Sequence, residues 1–469
     1  MNFIVIVSDT LRRDHLGCYG NGWISTPNID RFAERSLLFR NAYSGSFPTV
    51  PHRRDVMTGR FTASYTPWAP LSADEVVLAQ VFGDAGYLTM MVCDCPHILE
   101  NGYHYDRGFD GFEWIRGQES DRWKPYPAAP EFECDLAKIR GPERLRTHHE
   151  RNIAWWEHES DTFVARTMTE ACRWLEKCYT REKFFLYVDT FDPHEPWDAP
   201  QWYVDMYDPG YEGQVVRYPQ YAYADFLSEV ELKHVRALYA AEVTLVDRWI
   251  GRLLEKIDDL GLLTDTMVLL TTDHGFLHGE HGIMGKSLIA DRVVRYVPLY
   301  EGIAHIPLMV RVPGSKAGVR GGVVQPMDFM PTILEMAGVA PPDTMHGRSF
   351  AKLLRGGRDS HRDYAVSCPY MGGESVPCTV TSGNWSGVFW SAREEGEFID
   401  RAVDGVAKVQ ESGARGDELL FDLSRDPGQQ KNVAGEHPEV MADLNGKLVE
   451  FCRQIGCDQK TQGRWEQRP

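Results

Sequence analysis

Four groups of residues in this chain have the types and spacing to do chemistry. Asp9 follows an apolar run at 3–7, Asp189, Asp192 and His194 follow one at 184–188, and Asp273 and His274 follow one at 267–271. Thr49 stands two residues before Pro51, where a helix can start. Each alone reads as ordinary: an acid after a strand is a turn or a cap, and a hydroxyl beside proline is turn chemistry. Together they describe a site. Acids from two strand ends and the histidine beside one of them suit a hard or borderline divalent cation. A hydroxyl at a helix N-terminus adds a nucleophile where N–H donors and the helix dipole favour an oxyanion.

Such residues need a scaffold that brings distant strand ends together. Short β-type runs at 3–7, 88–93, 184–189, 267–271 and 307–312 alternate with amphipathic stretches at 28–36, 75–85, 162–178, 228–257 and 329–337. This alternation predicts an α/β fold with a large, mostly parallel central sheet flanked by helices, and ligands then bind beyond the carboxyl ends of the strands. In the longest helix Val235, Leu238, Val246, Trp249, Leu253 and Ile257 form a core-facing stripe. Residues 113–160 are rich in Trp, Pro and charge without a clean period, and read as an insertion that shapes access. The run Arg355-Gly356-Gly357-Arg358-Asp359-Ser360 reads as a linker. A catalytic domain at 1–354 and a small α+β subdomain at 355–469 are therefore expected, the latter with a strand at 419–423 and a terminal helix near 438–454.

Composition narrows the classes. The 469 residues carry 50 Lys+Arg against 68 Asp+Glu, a net charge of −18, so a nucleic acid polymer is not the expected partner. No run is long and apolar enough for a membrane span, and the N-terminal run lacks the basic flank of an export signal. The expectation is a cytoplasmic protein with its ten cysteines reduced and no membrane partner; a homo-oligomer is left open. The pair Cys93 and Cys95 reads as core or loop thiols.

The same residues carry a family resemblance. Ser8-Asp9-Thr10-Leu11-Arg12-Arg13-Asp14-His15 resembles the first strand and loop of the sulfatase branch of the alkaline phosphatase superfamily. Thr49-Val50-Pro51-His52-Arg53, closed by Thr58-Gly59-Arg60, is similar to that family's signature, which has Cys or Ser in first place. Phe191-Asp192-Pro193-His194-Glu195-Pro196, Thr271-Thr272-Asp273-His274-Gly275, Gly285-Lys286 and Leu420-Phe421-Asp422-Leu423 follow in the family's order. The resemblance implies an alkaline phosphatase-like fold and a divalent cation (Mn, Zn, Ca or Mg) held by Asp9, Asp273 and His274, with Thr10 in place of a second Asp. It implies Thr49 as nucleophile, Arg53 beside it, and Lys286 and His194 on the transferred group and leaving oxygen. The family's Gly-Lys-x-His segment falls at Cys93-Asp94-Cys95-Pro96-His97, where the lysine is missing. His97 is then the catalytic candidate and Asp94 a substrate contact, although both also read as loop caps.

Position 49 is the departure. Family sulfatases oxidise the Cys or Ser to formylglycine, whose second geminal hydroxyl expels sulfate. Threonine would give a methyl ketone, so Thr49 is expected to stay an alcohol, better suited to phosphorus than to sulfur. A second cation would need Asp189 or Asp192, His194 and His281; His281 reads rather as a substrate contact, and one ion is expected rather than two. One ion favours a singly charged phosphate diester or phosphonate monoester, a small anionic ester cleaved through a phospho-threonine. The alternatives are a sulfatase working without formylglycine, a phosphotransferase, and a non-catalytic binding protein.

Overall fold

The apolar run near the N-terminus becomes a strand buried on both faces: all seven residues of β1 (Asn2–Ser8) are buried, as a central parallel strand requires. The computed structural model describes residues 1–126, 131–132, 134–290, 293–357, 360–391, 400–403, 406–409 and 417–466. After β1 come α1 (Pro27–Glu34), β2 (Leu37–Phe39), α2 (Thr49–Thr58), α3 (Leu78–Asp84), β3 (Leu88–Cys93) and β4 (Gly111–Trp114). Next are α4 (Phe163–Cys178), β5 (Phe184–Thr190), α5 (Glu229–Asp259), β6 (Thr266–Thr271), β7 (Leu308–Arg311), β8 (Gly318–Arg320) and α6 (Phe329–Ala337). The C-terminal part contributes β9 (Ala365–Ser367), β10 (Pro377–Ser382), β11 (Trp385–Trp390), β12 (Leu419–Asp422) and α7 (Pro438–Gln454).

The chain divides into two compact units. The first comprises Met1–Leu38, Ala79–Gly285 and Pro307–Val319. Its sheet has the order β8-β2-β7-β6-β1-β5-β3-β4. The pairs β6–β1, β1–β5, β5–β3 and β3–β4 are parallel, whereas β7 runs antiparallel to β6 and β2. The expected α/β class, mostly parallel with helices against the sheet, is what the fold shows. Helix α5 starts at a capping box, Ser228 Oγ accepting from Glu231 N at 3.3 Å and Glu231 Oε2 from Ser228 N at 2.9 Å. Its stripe is buried as expected except at Trp249, which is half-buried and donates its Nε1 to Glu159 Oε1 at 3.0 Å.

The second unit comprises Phe39–Leu78, Lys286–Ile306 and Arg320–Pro469. The antiparallel sheet β9-β10-β11-β12 and helix α7 arise where short strands and a terminal helix were expected after residue 354, and they share this unit with α2. Every residue of α2 is buried, its four charged or titratable side chains His52, Arg53, Arg54 and Asp55 included. Such a helix stands on its polar partners. Asp55 accepts from Ser46 N at 2.8 Å and Thr62 N at 2.7 Å, and Arg54 Nη2 meets Glu75 Oε2 at 2.5 Å. Gly45 fits because a Cβ there would lie 2.6 Å from Asp55 Oδ2. The Arg54–Glu75 pair explains a difference from the expected helix at 75–85. Glu75 is held in a turn, also accepting from Ser72 N at 2.9 Å, and the helix begins three residues later at Leu78.

A buried ion pair ties α6 to the strand that follows. Arg362 Nε donates to Asp328 Oδ2 at 2.8 Å and Nη2 to Oδ1 at 2.5 Å, and Arg348 N adds a donor at 2.8 Å. Burial alone would raise the Asp328 pKa; the Arg362 charge and these bonds reverse that and hold it far below the usual carboxylate range. Arg362→Met leaves the buried carboxylate with His361 Nε2, 3.3 Å away, as its remaining basic side-chain partner and is expected to cost about 3–5 kcal/mol, read from denaturant unfolding. Because the folded pKa is depressed, the pair's contribution is complete above the unfolded value near pH 4 and fades as the pH falls below it. The wild type should therefore lose more stability than Arg362→Met between about pH 5 and pH 2.

Candidate active site

Parallel register builds the core of the site. Val7 of β1 faces Thr271 of β6, so Asp9 and Asp273, two residues further along, emerge side by side at the carboxyl edge. Asp9, Asp273 and His274 are fully buried and offer ligand atoms that all lie within 4.8 Å of one another. The backbone and two threonines orient them. Asp273 Oδ1 accepts from Thr10 N at 2.9 Å and His274 N at 2.8 Å, and Asp9 Oδ1 accepts from Thr10 Oγ1 at 2.7 Å. Thr272 Oγ1 donates to Ser8 O and accepts from Leu11 N at 2.9 Å, which joins the two strand ends. Thr10 thus serves both acids as a donor, from a left-handed backbone (φ 60°) that Tyr239 steadies by donating to Thr10 O at 2.7 Å. His274 Nδ1 lies 3.0 Å from Gly275 O, which selects the tautomer whose Nε2 presents a lone pair. Two carboxylates and an imidazole in a dry pocket would be costly as they stand, and they fit a divalent cation.

The next two strand ends carry the histidines. His97 and His194 both sit against Phe191, the His194 ring stacked at 4.1 Å between centroids and the His97 ring edge-on at 5.4 Å. His194 Nδ1 is fixed at 2.6 Å from Glu195 O, and His97 Nε2 lies 2.9 Å from Glu119 Oε2. Asp94, expected at the substrate, faces the interior. Its Oδ2 accepts from Thr167 Oγ1 at 2.7 Å and Thr190 Oγ1 at 2.9 Å, and its Oδ1 from Phe191 N at 2.5 Å. Asp94 therefore holds the backbone that carries Phe191 and the histidines. Burial raises its pKa, and burial with the Asp94 charge raises that of Asp192, which accepts from Gln118 Nε2 at 2.6 Å. His281 is half-buried in the turn Glu280–Gly282, with a left-handed backbone of φ 56°.

Sequence reasoning missed the network that fixes these histidines. Arg140, from the 113–160 insertion, donates to Glu195 Oε1 at 2.9 Å and Glu119 Oε1 at 3.2 Å. Its guanidinium lies between the rings of Tyr218 and Tyr221, 4.3 and 4.2 Å from their centroids. Tyr218 also donates to Glu119 and Tyr221 to Glu195. Burial alone would raise Glu119; the bond and charge of His97 and the charges of Arg144 and Arg140 hold it well below the usual range. Glu195 stands beside His194 in the motif, and that was the one signal available. Two of the insertion's tryptophans, Trp123 and Trp155, pack on each other at 6.4 Å with Lys124 Nζ over both rings, while Trp156 packs on Phe163 and Arg116 lies over Trp114.

The remaining candidates belong to the second unit. Thr49 is the first residue of α2 and is 2% exposed, so the expected helix start is real. The residue at the N-cap is Pro48, so no side chain there caps the helix. Arg53, one turn on and fully buried, curls back to donate from Nη1 to Thr49 O at 3.4 Å. Lys286 is buried too, at 7% exposure. Among the described residues, no helix is long and apolar enough to cross a membrane.

The profile of the family described as Sulfatase matches residues 1–339. An arylsulfatase of Clostridium perfringens is 26% identical over 476 aligned positions, covering 92% of this chain and 90% of its own. Among solved structures, a phosphonate monoester hydrolase of Agrobacterium radiobacter superposes with a TM-score of 0.70 at 20% identity, over 97% of this chain and 96% of its own. A chain solved with its substrate D-glucosamine-2-N,6-O-disulfate gives 0.71 at 19% identity, over 100% of this chain and 99% of its own. These likenesses agree with the strand-end acids, the threonine-initiated helix and the order of the motifs: the chain belongs to the sulfatase family, within the alkaline phosphatase superfamily, and is an ester-bond hydrolase.

Proposed function

We propose that the chain is a metal-dependent hydrolase of phosphate diesters or phosphonate monoesters that works through an unmodified Thr49. The observation that carries this reading is a threonine, a secondary alcohol, as the first residue of a buried helix whose Arg53 folds back onto the same turn. Asp9, Asp273 and His274 would hold the cation, which when bound supplies Lewis-acid stabilisation of the anionic ester. Thr49 Oγ1 gives up its proton to solvent and bonds to phosphorus, while the bond from phosphorus to the leaving oxygen breaks. His194, whose Nδ1 lies 2.6 Å from Glu195 O, would protonate the departing alkoxide from Nε2. Water then gives a proton back to His194 and bonds to phosphorus, and the Thr49 ester oxygen leaves and takes a proton from solvent, regenerating the alcohol. Arg53 and Lys286 hold the non-bridging oxygens in both steps, where preorganised positive charge contributes most. A sulfated threonine has no second hydroxyl to expel sulfate, so sulfate turnover should stall after one cycle.

The sulfatases among the relatives favour a second reading, a sulfatase acting without formylglycine. One panel decides between them: an aryl phosphate diester, a phosphonate monoester, a phosphate monoester and an aryl sulfate, each with Mn²⁺, Zn²⁺, Ca²⁺ or Mg²⁺. The diester or phosphonate monoester should give the highest kcat/KM. Faster cleavage of the sulfate would overturn the ranking, and product formed only with an acceptor alcohol would identify a transferase.

A further inference from the structure

Four of the ten cysteines meet in one place. Cys368, Cys378, Cys452 and Cys457 all lie in the apolar core of the second unit, the most exposed of them at 6%. The backbone brings them together in two pairs. Ala365, Val366 and Ser367 of β9 face Thr381, Val380 and Thr379 of β10, and the next step of that register sets Cys368 opposite Cys378. Cys368 turns its own polar groups away from β10: its N–H donates to Gly45 O at 3.0 Å and its carbonyl accepts from Phe47 N at 3.1 Å. The pair is thus a non-hydrogen-bonded one, in which antiparallel strands bring facing Cα atoms to about 4.5 Å, inside the span a disulfide needs.

The second pair is made by the end of α7. Cys457 N donates to Cys452 O at 2.9 Å and Gly456 N to Arg453 O at 3.2 Å, with Gly456 in the left-handed region at φ 71°. This turn packs the residue after the glycine against the one five before it. Helix α7 packs on β10, so the pairs are neighbours. Among the described residues, the acid, histidine or cysteine group with all ligand atoms within 4.8 Å is the Asp9 triad, so the four sulfurs do not form a ready cation site.

We propose that these thiols are an oxidisable site that closes as two disulfides, Cys368–Cys378 and Cys452–Cys457, when the chain folds in the presence of a small disulfide such as oxidised glutathione. In each pair one thiolate attacks a glutathione sulfur, the glutathione S–S bond breaks and one glutathione thiol leaves. The second thiolate then attacks the mixed disulfide and releases the other. Each pair gives up two electrons, and the protons end on two glutathione thiols. Burial and the neighbouring Cys368 push the Cys378 thiol far up, and the neighbouring Cys457 and burial do the same to Cys452. Few thiolates exist in the folded state, so closure belongs to folding and is slow afterwards. The Cys368 bridge would also bear on Thr49, because the segment hydrogen-bonded to Cys368 ends at Phe47, two residues before it.

The test is to refold the full chain in a glutathione redox buffer containing chelator, alkylate it, and map its peptides. The expected result is both named linkages, four fewer titratable thiols under denaturing conditions than in a reduced sample, and a thermal midpoint raised by several degrees. Cys378→Ser should abolish the first linkage and keep the second, and Cys457→Ser the reverse. Folded, reduced protein in the same buffer should oxidise many times more slowly. All ten thiols reacting after oxidative refolding, linkages that cross between the pairs, or zinc bound stoichiometrically by these thiols without chelator would each overturn the proposal.

Discussion

Thr49→Ala should lower turnover of a phosphate diester by about 10⁴-fold or more while leaving the protein folded. The size follows from losing the nucleophile outright rather than weakening a contact. Folding should survive because Thr49 is the first helical residue of α2 and not its N-cap, and alanine is an excellent helix residue. Thr49→Ser keeps an alcohol at the same atom and should retain activity within about tenfold. Steady-state kinetics on both variants, with thermal midpoints beside them, separate the chemical role from a structural one. The intact mass of the peptide carrying residue 49 should be that of unmodified threonine, and quenched turnover of a slow diester should add a phosphoryl group there. Near-normal activity in Thr49→Ala, or a ketone mass at that residue, would end the phospho-threonine mechanism.

Asp273→Asn should abolish cation binding and cost about 10³-fold or more in rate. An asparagine oxygen can still accept from Thr10 N and His274 N, so the strand ends keep their shape while the cluster loses a charge. The two forms should then part in stability. Without cation, the amide relieves crowded buried charge, and the variant should melt at or above the chelated wild type. With cation at 100 times its dissociation constant the wild type gains about 2.7 kcal/mol and the variant nothing. Asp9→Asn should behave alike, since Asp9 is the other carboxylate of the triad. Metal content of the purified proteins and thermal melts with and without chelator read these outcomes directly. A wild type whose melting and turnover ignore both chelator and added cation would remove the cation from the mechanism.

Much of this was written locally in the chain. Apolar runs marked β1, β3, β5 and β6, and the acids and histidines just past them marked the carboxyl edge where ligands bind. Those signals survive in sequence because strand formation and its ending depend on neighbouring residues. Thr49 could be read as a helix start for the same reason. The fold class and the grouping of Asp9 with Asp273 and His274 follow once the strands are taken as parallel neighbours.

Side-chain partnership across long separations is another matter. Arg140 is 55 residues from Glu195, and no period or motif joins them, yet one guanidinium serves Glu195 and Glu119 between two tyrosine rings. Asp94 has a loop-like setting in sequence; the path of the chain after β5 turns it inward onto Phe191 N. Thr10 stands where an acid was expected, and only its left-handed backbone shows that it can donate to two carboxylates at once. The cysteine pairs depend on strand register and on a helix-ending turn. Sequence by itself determined which residues stand at the working edge of the sheet, because backbone preference is local. Tertiary structure alone decided what each of them touches, because a buried charge takes whichever partner the folded chain brings within hydrogen-bonding distance.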